Sequence, residues 1–146
     1  MRTHKSVTLP LLAVALLFTP LVSLAQRPAT ADRAHTPHRG STEEQSILKS
    51  LHIPQSVYIQ VNYLKVHQGW AWADVTPLDG HRKPVAEGGT NLVHLKSGHW
   101  TAFDLSKVPA DPNDPMGAED ASAGFVKNLR KQFPGVPADI FPKPGH

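Results

Sequence analysis

The chain has 146 residues, no cysteine and a formal charge of +3, from 15 Lys and Arg against 12 Asp and Glu. The missing thiols exclude disulfide staples, a cysteine nucleophile and lipid attachment through sulfur, so stability must come from an apolar core. Nucleic-acid binding loses its support as well, because part of the positive charge lies in a segment expected to be removed.

That segment, residues 1–25, reads as a secretory signal peptide. Arg2 and Lys5 give it a positive start, Val7 to Phe18 an apolar middle, and Ser23-Leu24-Ala25 small residues for cleavage before Gln26. A membrane-spanning helix would need about 20 continuous apolar residues, and Pro10 and Pro20 interrupt this run. Cleavage leaves 121 residues with 13 cationic and 12 anionic side chains, a formal charge of +1. The expected location is the periplasm or the extracellular medium, with no membrane anchor after cleavage. Residues 26–45 then read as a disordered linker, because Gln26 to Gly40 has no aliphatic side chain larger than Ala. His35 and His38 fall in it as solvated linker residues, with metal capture as the alternative.

Residues 46–141 are expected to form a single α+β domain, followed by a tail over 142–146. Ser41-Thr42-Glu43-Glu44 has the capping-box pattern, and Ile47, Leu48 and Leu51 give one apolar stripe, so a short N-terminal helix is predicted, stopped by Pro54. Val57, Ile59 and Val61 alternate, but Leu64 and Val66 continue one residue out of phase, which places a β-bulge near Asn62-Tyr63. With Gln68-Gly69 as a two-residue turn, Val66 pairs with Ala71 and Leu64 with Ala73 on one face, and Lys65 with Trp72 and His67 with Trp70 on the other. Leu78 to Gly89 is a long run of turn residues, either a mobile excursion or a functional lip. A second hairpin turns at Ser97-Gly98, setting Leu95 opposite Trp100, Val93 opposite Ala102 and Leu92 opposite Phe103. Val108 to Glu119 is a Pro- and Asp-rich connector without the ligand spacing of a calcium loop. A C-terminal helix over Asp120 to Gln132 is predicted from the stripe Phe125, Leu129 and Phe133, ending at Pro134-Gly135.

Catalytic signals are sparse. No Ser stands in a nucleophile elbow, Gly88-Gly89 lacks the following Lys-Ser/Thr of a phosphate loop, and no HExxH occurs. Asp74 and Asp104 hold equivalent places in the two hairpins and would be the carboxylate pair if there were one; as polar strand-edge residues they need no such role. His67 and His99, near the two turns, could approach one another as weak metal ligands, with surface histidines as the alternative. No cofactor is expected and no catalytic residue is assigned. The remaining constellation is aromatic. Trp70, Trp72, Trp100 and Tyr63 can present a recognition face, or can be core and cross-strand pairs.

Leu64-x-Val66-x-x-Gly69-Trp70-Ala71, then Gly98-x-Trp100 with Asp104, then Phe133-Pro134-Gly135-x-Pro137 leading to Ile140-Phe141, resembles a group of small exported bacterial proteins of uncharacterised function. The resemblance implies a helix plus a curved antiparallel sheet, cystatin-like or NTF2-like in outline, and carries no catalytic residues. The reading is therefore an α+β fold with a short N-terminal helix, a four-stranded antiparallel sheet of two hairpins and a C-terminal helix. Its expected function is that of an exported, non-enzymatic binding or interaction protein of the cell envelope with an envelope or secreted protein partner. The alternatives are a small-ligand-binding or hydrolytic domain with a pocket between the sheet and the C-terminal helix, and a histidine-dependent metal binder.

Overall fold

Two tight turns set the sheet. Gln68-Gly69 and Ser97-Gly98 each place both residues at positive φ (50° and 78°, 51° and 82°), the mirror-image turn whose twist matches that of antiparallel strands. Around them the computed structural model, which describes residues 33–114 and 117–143, builds an α+β domain. Strands β1 (Tyr58–His67), β2 (Trp70–Leu78), β3 (Gly89–Lys96) and β4 (His99–Phe103) pair antiparallel in sequence order. The helices are α1 (Thr42–Ser50), α2 (Gly117–Asp120) and α3 (Ala123–Gln132), with one-turn 3₁₀ helices at Leu105–Lys107 and Ala138–Ile140. Among the described residues no helix is long and apolar enough to cross a membrane. The predicted signal peptide lies outside the described residues, as do 144–146 of the predicted tail.

The register is set by side-chain period. Val66 faces Ala71, Leu64 faces Ala73 and His67 faces Trp70, and the ladder shifts between Val61 and Tyr63, leaving Asn62 without an opposite number. In the second hairpin Leu92 faces Phe103, Val93 faces Ala102 and Leu95 faces Trp100. Both sheet faces are covered. On one, Ile47 of α1 packs with Leu64, Val66, Ala71, Ala73, Val75 and Val93. On the other, Trp72 and Leu92 pack with Phe125 and Leu129 of α3 and with Val136, Ile140 and Phe141 of the C-terminal segment. Ser41 caps α1 by accepting the Glu44 amide hydrogen, and Ser122 caps α3 by accepting that of Phe125.

Two expectations need correction. The linker predicted over 26–45 lies outside the described residues as far as residue 32, but from residue 33 it is not a free tether. His35 and Val66 exchange backbone hydrogen bonds of 2.9 and 2.8 Å, Pro37 is buried, and Thr42 already begins α1. The outer edge of β1 supplies the pairing that side-chain composition does not reveal. The helix predicted over Asp120–Gln132 is broken: Ala121 takes φ 52°, and Ser122 restarts the chain as α3. A serine hydroxyl that can hold a first-turn amide ends one helix and begins another.

Ile47 is the one apolar α1 side chain fully withdrawn from solvent. Ile47→Ala should therefore cost roughly 2–5 kcal/mol, read as a lower urea midpoint with an unchanged slope.

Candidate functional site

A strand of period two cannot aim consecutive side chains at the same face, but a bulged one can. Asn62 is the extra residue, and its amide nitrogen donates to Thr76 Oγ1 (2.9 Å) and Asp74 Oδ1 (3.3 Å) while its carbonyl accepts from Gln60 (2.9 Å). Tyr63 pairs with Asp74 on the same face. From the other side, Thr90 Oγ1 donates to the Ala118 carbonyl (2.7 Å), which ties α2 to β3. The left-handed turn at Ala121 then stops the chain from running on over the bulge.

Between these elements lies a cleft of about 860 Å³ with Tyr63 and Trp72 beneath it, Asp74 and Thr90 on one side, and Glu119 and Asp120 on another. Pro142 and Lys143 close its C-terminal wall. A second lobe of about 480 Å³ shares Asn62, Asp74, Thr90 and Glu119 and reaches Glu87 and Gly88 at the end of the long β2–β3 loop. The rim is acidic: Asp74, Glu119 and Asp120 against Lys143. Glu119 and Asp120 make no side-chain hydrogen bond or ion pair among the described residues, so their charges are open to a ligand. Burial pushes the Tyr63 phenol up, and the nearby Asp139 carboxylate pushes it further, so Tyr63 meets the cleft as a neutral hydrogen-bonding ring.

Asp139 stands behind that floor. Its Oδ1 accepts from His67 Nδ1 at 2.7 Å and its Oδ2 from the Ala34 amide at 3.3 Å. Burial opposes the charge, but the His67 and Ala34 hydrogen bonds outweigh it and hold the carboxyl below the usual range.

The structure separates the residues singled out in the sequence. Tyr63, Trp72 and Asp74 meet at the cleft. Trp72 is fully buried against Phe125 and Phe141, so it supports the floor and cannot be part of an exposed aromatic face. Trp70 stacks on His94 (3.9 Å between centroids, 11° between planes), with Phe103 beyond. Burial, and then the Lys96 charge, push His94 below the ordinary histidine value. Trp100 packs on the opposite sheet face, with the α1 cluster. The three tryptophans therefore form no common surface. His67 and His99 do not converge: they sit on the two outer strands, roughly 14 Å apart by strand spacing. Among the described residues no group of three or more His, Asp or Glu side chains is placed to hold a metal. Asp104 caps the helix Leu105–Lys107 through Ser106 (3.1 and 2.6 Å) and does not line the cleft that Asp74 borders. The cleft lies between the sheet and the start of α3, at Ser122 and Ala123, while Leu129 further along that helix is part of the core. Asn62, Thr90, Glu119, Asp120 and Ala121 were not singled out as site residues; the phase break in β1 and the Ser122 cap were the available signals.

Because its folded-state value is lowered, Asp139 adds stability that is present above the unfolded carboxyl value of about 3.9 and lost as pH falls through the lower folded one. Urea midpoints should place Asp139→Asn below the unmutated protein at pH 6–7, and the gap should close towards pH 3.

Comparison with known proteins finds no family model, no curated protein and no solved structure that matches this chain.

Proposed function

We propose that the protein is an exported binding domain that takes a small, amine-bearing ligand in the cleft between the β1 bulge and the α2–α3 corner. The observation that carries this reading is the cleft itself: an aromatic floor at Tyr63 and Trp72 under the carboxylates of Asp74, Glu119 and Asp120. A protonated amine gains charge-assisted hydrogen bonds from such carboxylates and a further attraction from an aromatic ring. Tyr63 fixes orientation by offering one hydroxyl as donor or acceptor. The formal charge of the chain without residues 1–25 is only +1, so an acidic cleft draws a cation locally rather than through the whole molecule. A broad aromatic docking face is the weaker account, because helices and the C-terminal segment cover both sides of the sheet. The two aliphatic hydroxyls in the cleft are already engaged, Thr90 on the Ala118 carbonyl and Ser122 as the cap of α3, and neither has a histidine beside it, which supports binding over hydrolysis. Export rests on the N-terminal charge and hydropathy pattern.

The test is an NMR titration with putrescine, using butane-1,4-diol as its uncharged counterpart. Putrescine should move the amide signals of Tyr63, Thr90 and Ala121. Asp74→Asn should weaken binding by about tenfold or more, the loss of one charge-assisted contact of roughly 1.5–3 kcal/mol. Equal shifts with the diol, or shifts confined to other parts of the sheet, would sink the proposal.

A further inference from the structure

Asp139 joins three segments that are distant in sequence. One oxygen holds His67 on β1 and the other holds the amide of Ala34, 105 residues away along the chain. The neighbouring His35 is fastened twice, through its backbone to Val66 and through its ring to Glu43 Oε2 of α1 at 3.0 Å. Antiparallel partners share a face, so the His35 ring joins Val66 on the α1 side while His67, the next residue of β1, points to the other side. The edge of β1 is thus gripped from both faces, and only the Asp139 grip lies on the side of the cleft.

The helix that carries Asp139 needs such a hold. It is a single turn, and its N-cap, Pro137, makes no side-chain capping bond. Ile140 and Phe141 plug into the core behind it, Phe141 against Trp72 at 5.0 Å. The next two residues, Pro142 and Lys143, are the cleft wall. A change at Asp139 reaches the cleft along these four residues, and also across space through Tyr63, whose phenol senses the Asp139 charge.

We propose that Ala34, His67 and Asp139 form a clamp that fixes the C-terminal wall of the cleft, so that detaching the N-terminal segment from β1 loosens that wall and opens the site. This regulatory role rests on the cleft being the binding site. Asp139 acts as a positioning residue: it holds the wall and need not touch a ligand. Because Ile140 and Phe141 stay anchored in the core, release frees the outer residues without undocking the segment.

Backbone ¹⁵N relaxation on the ligand-free protein tests this, comparing Asp139→Ala with Glu43→Gln. The second variant breaks the grip on the face away from the cleft and serves as the control. In the unmutated protein Lys143 should show an order parameter near the rigid value of about 0.85, and Asp139→Ala should drop it below about 0.6. The Tyr63 amide signal should move in the same variant, β2 and α3 should stay rigid, and Glu43→Gln should leave Lys143 as it was. Should Asp139→Ala fail to fold, Asp139→Asn, which keeps the volume and one acceptor, is read in its place and should lower the Lys143 value part of the way. The proposal is overturned if Lys143 is already mobile in the unmutated protein, if it is unchanged in the Asp139 variants, or if Glu43→Gln mobilises it equally. No ligand is present, so failure here leaves the cleft reading standing, and a failed putrescine titration leaves the clamp standing.

Discussion

One unpaired residue, Asn62, decides which way every side chain of β1 points. Side chains alternate with period two, so without an inserted residue Ile59 and Val61 could not share a face with Leu64 and Val66. All four lie on the α1 side, where Leu64 and Val66 are buried and Ile59 and Val61 pack against them. Turning one half of that set to the opposite face would forfeit roughly 1.5–3 kcal/mol for each apolar side chain brought out of the core. The bulge is the lower-energy solution. It also sends Asn62 and Tyr63, two consecutive residues, to the cleft side, so the device that completes one core also starts the candidate site.

The other half of the site comes from an interruption. A helix continued from α2 straight into α3 would cross the bulge and fill the space above Trp72. Ala121 prevents this by adopting φ 52°, a conformation that costs roughly 1–2 kcal/mol for a residue with a Cβ. It is held there by burial, by the Ser122 cap on α3 and by the Thr90 hydroxyl bonded to the Ala118 carbonyl. Backbone strain at the lip of a cleft is where functional geometry tends to be stored. The buried Trp72 takes a matching part: it is too deep to recognise a partner by itself, yet it gives the cleft a rigid apolar base.

How much of this was legible depended on sequence distance. Gln68-Gly69 and Ser97-Gly98 are local turn signals, and the alternation on either side of them fixed the partners Val66–Ala71, Leu64–Ala73 and Leu92–Phe103. The phase break at Asn62-Tyr63 was equally local, because Val61 and Leu64 cannot both be core in a regular strand. The cleft was not legible, since it requires α2 to dock on β3 through Thr90 and Ala118, 28 residues apart. That Trp72 alone is fully buried was hidden for the same reason. Trp70 and Trp72 share a face, and only the docking of Phe125 and Phe141 makes one of them core. Composition misjudged residues 33–41 because their attachment runs through the backbone of Ala34 and His35 and one histidine–carboxylate pair, His35–Glu43, rather than through large apolar side chains.

The central claim is that the β1–β2 ladder skips Asn62, and cross-strand NOEs between backbone protons test it directly. The account predicts contacts of Val61 with Val75 and of Tyr63 with Asp74, with none pairing Asn62 to a β2 residue. An uninterrupted ladder, with Asn62 opposite Asp74 and Tyr63 opposite Ala73, would contradict it and remove the cleft with it.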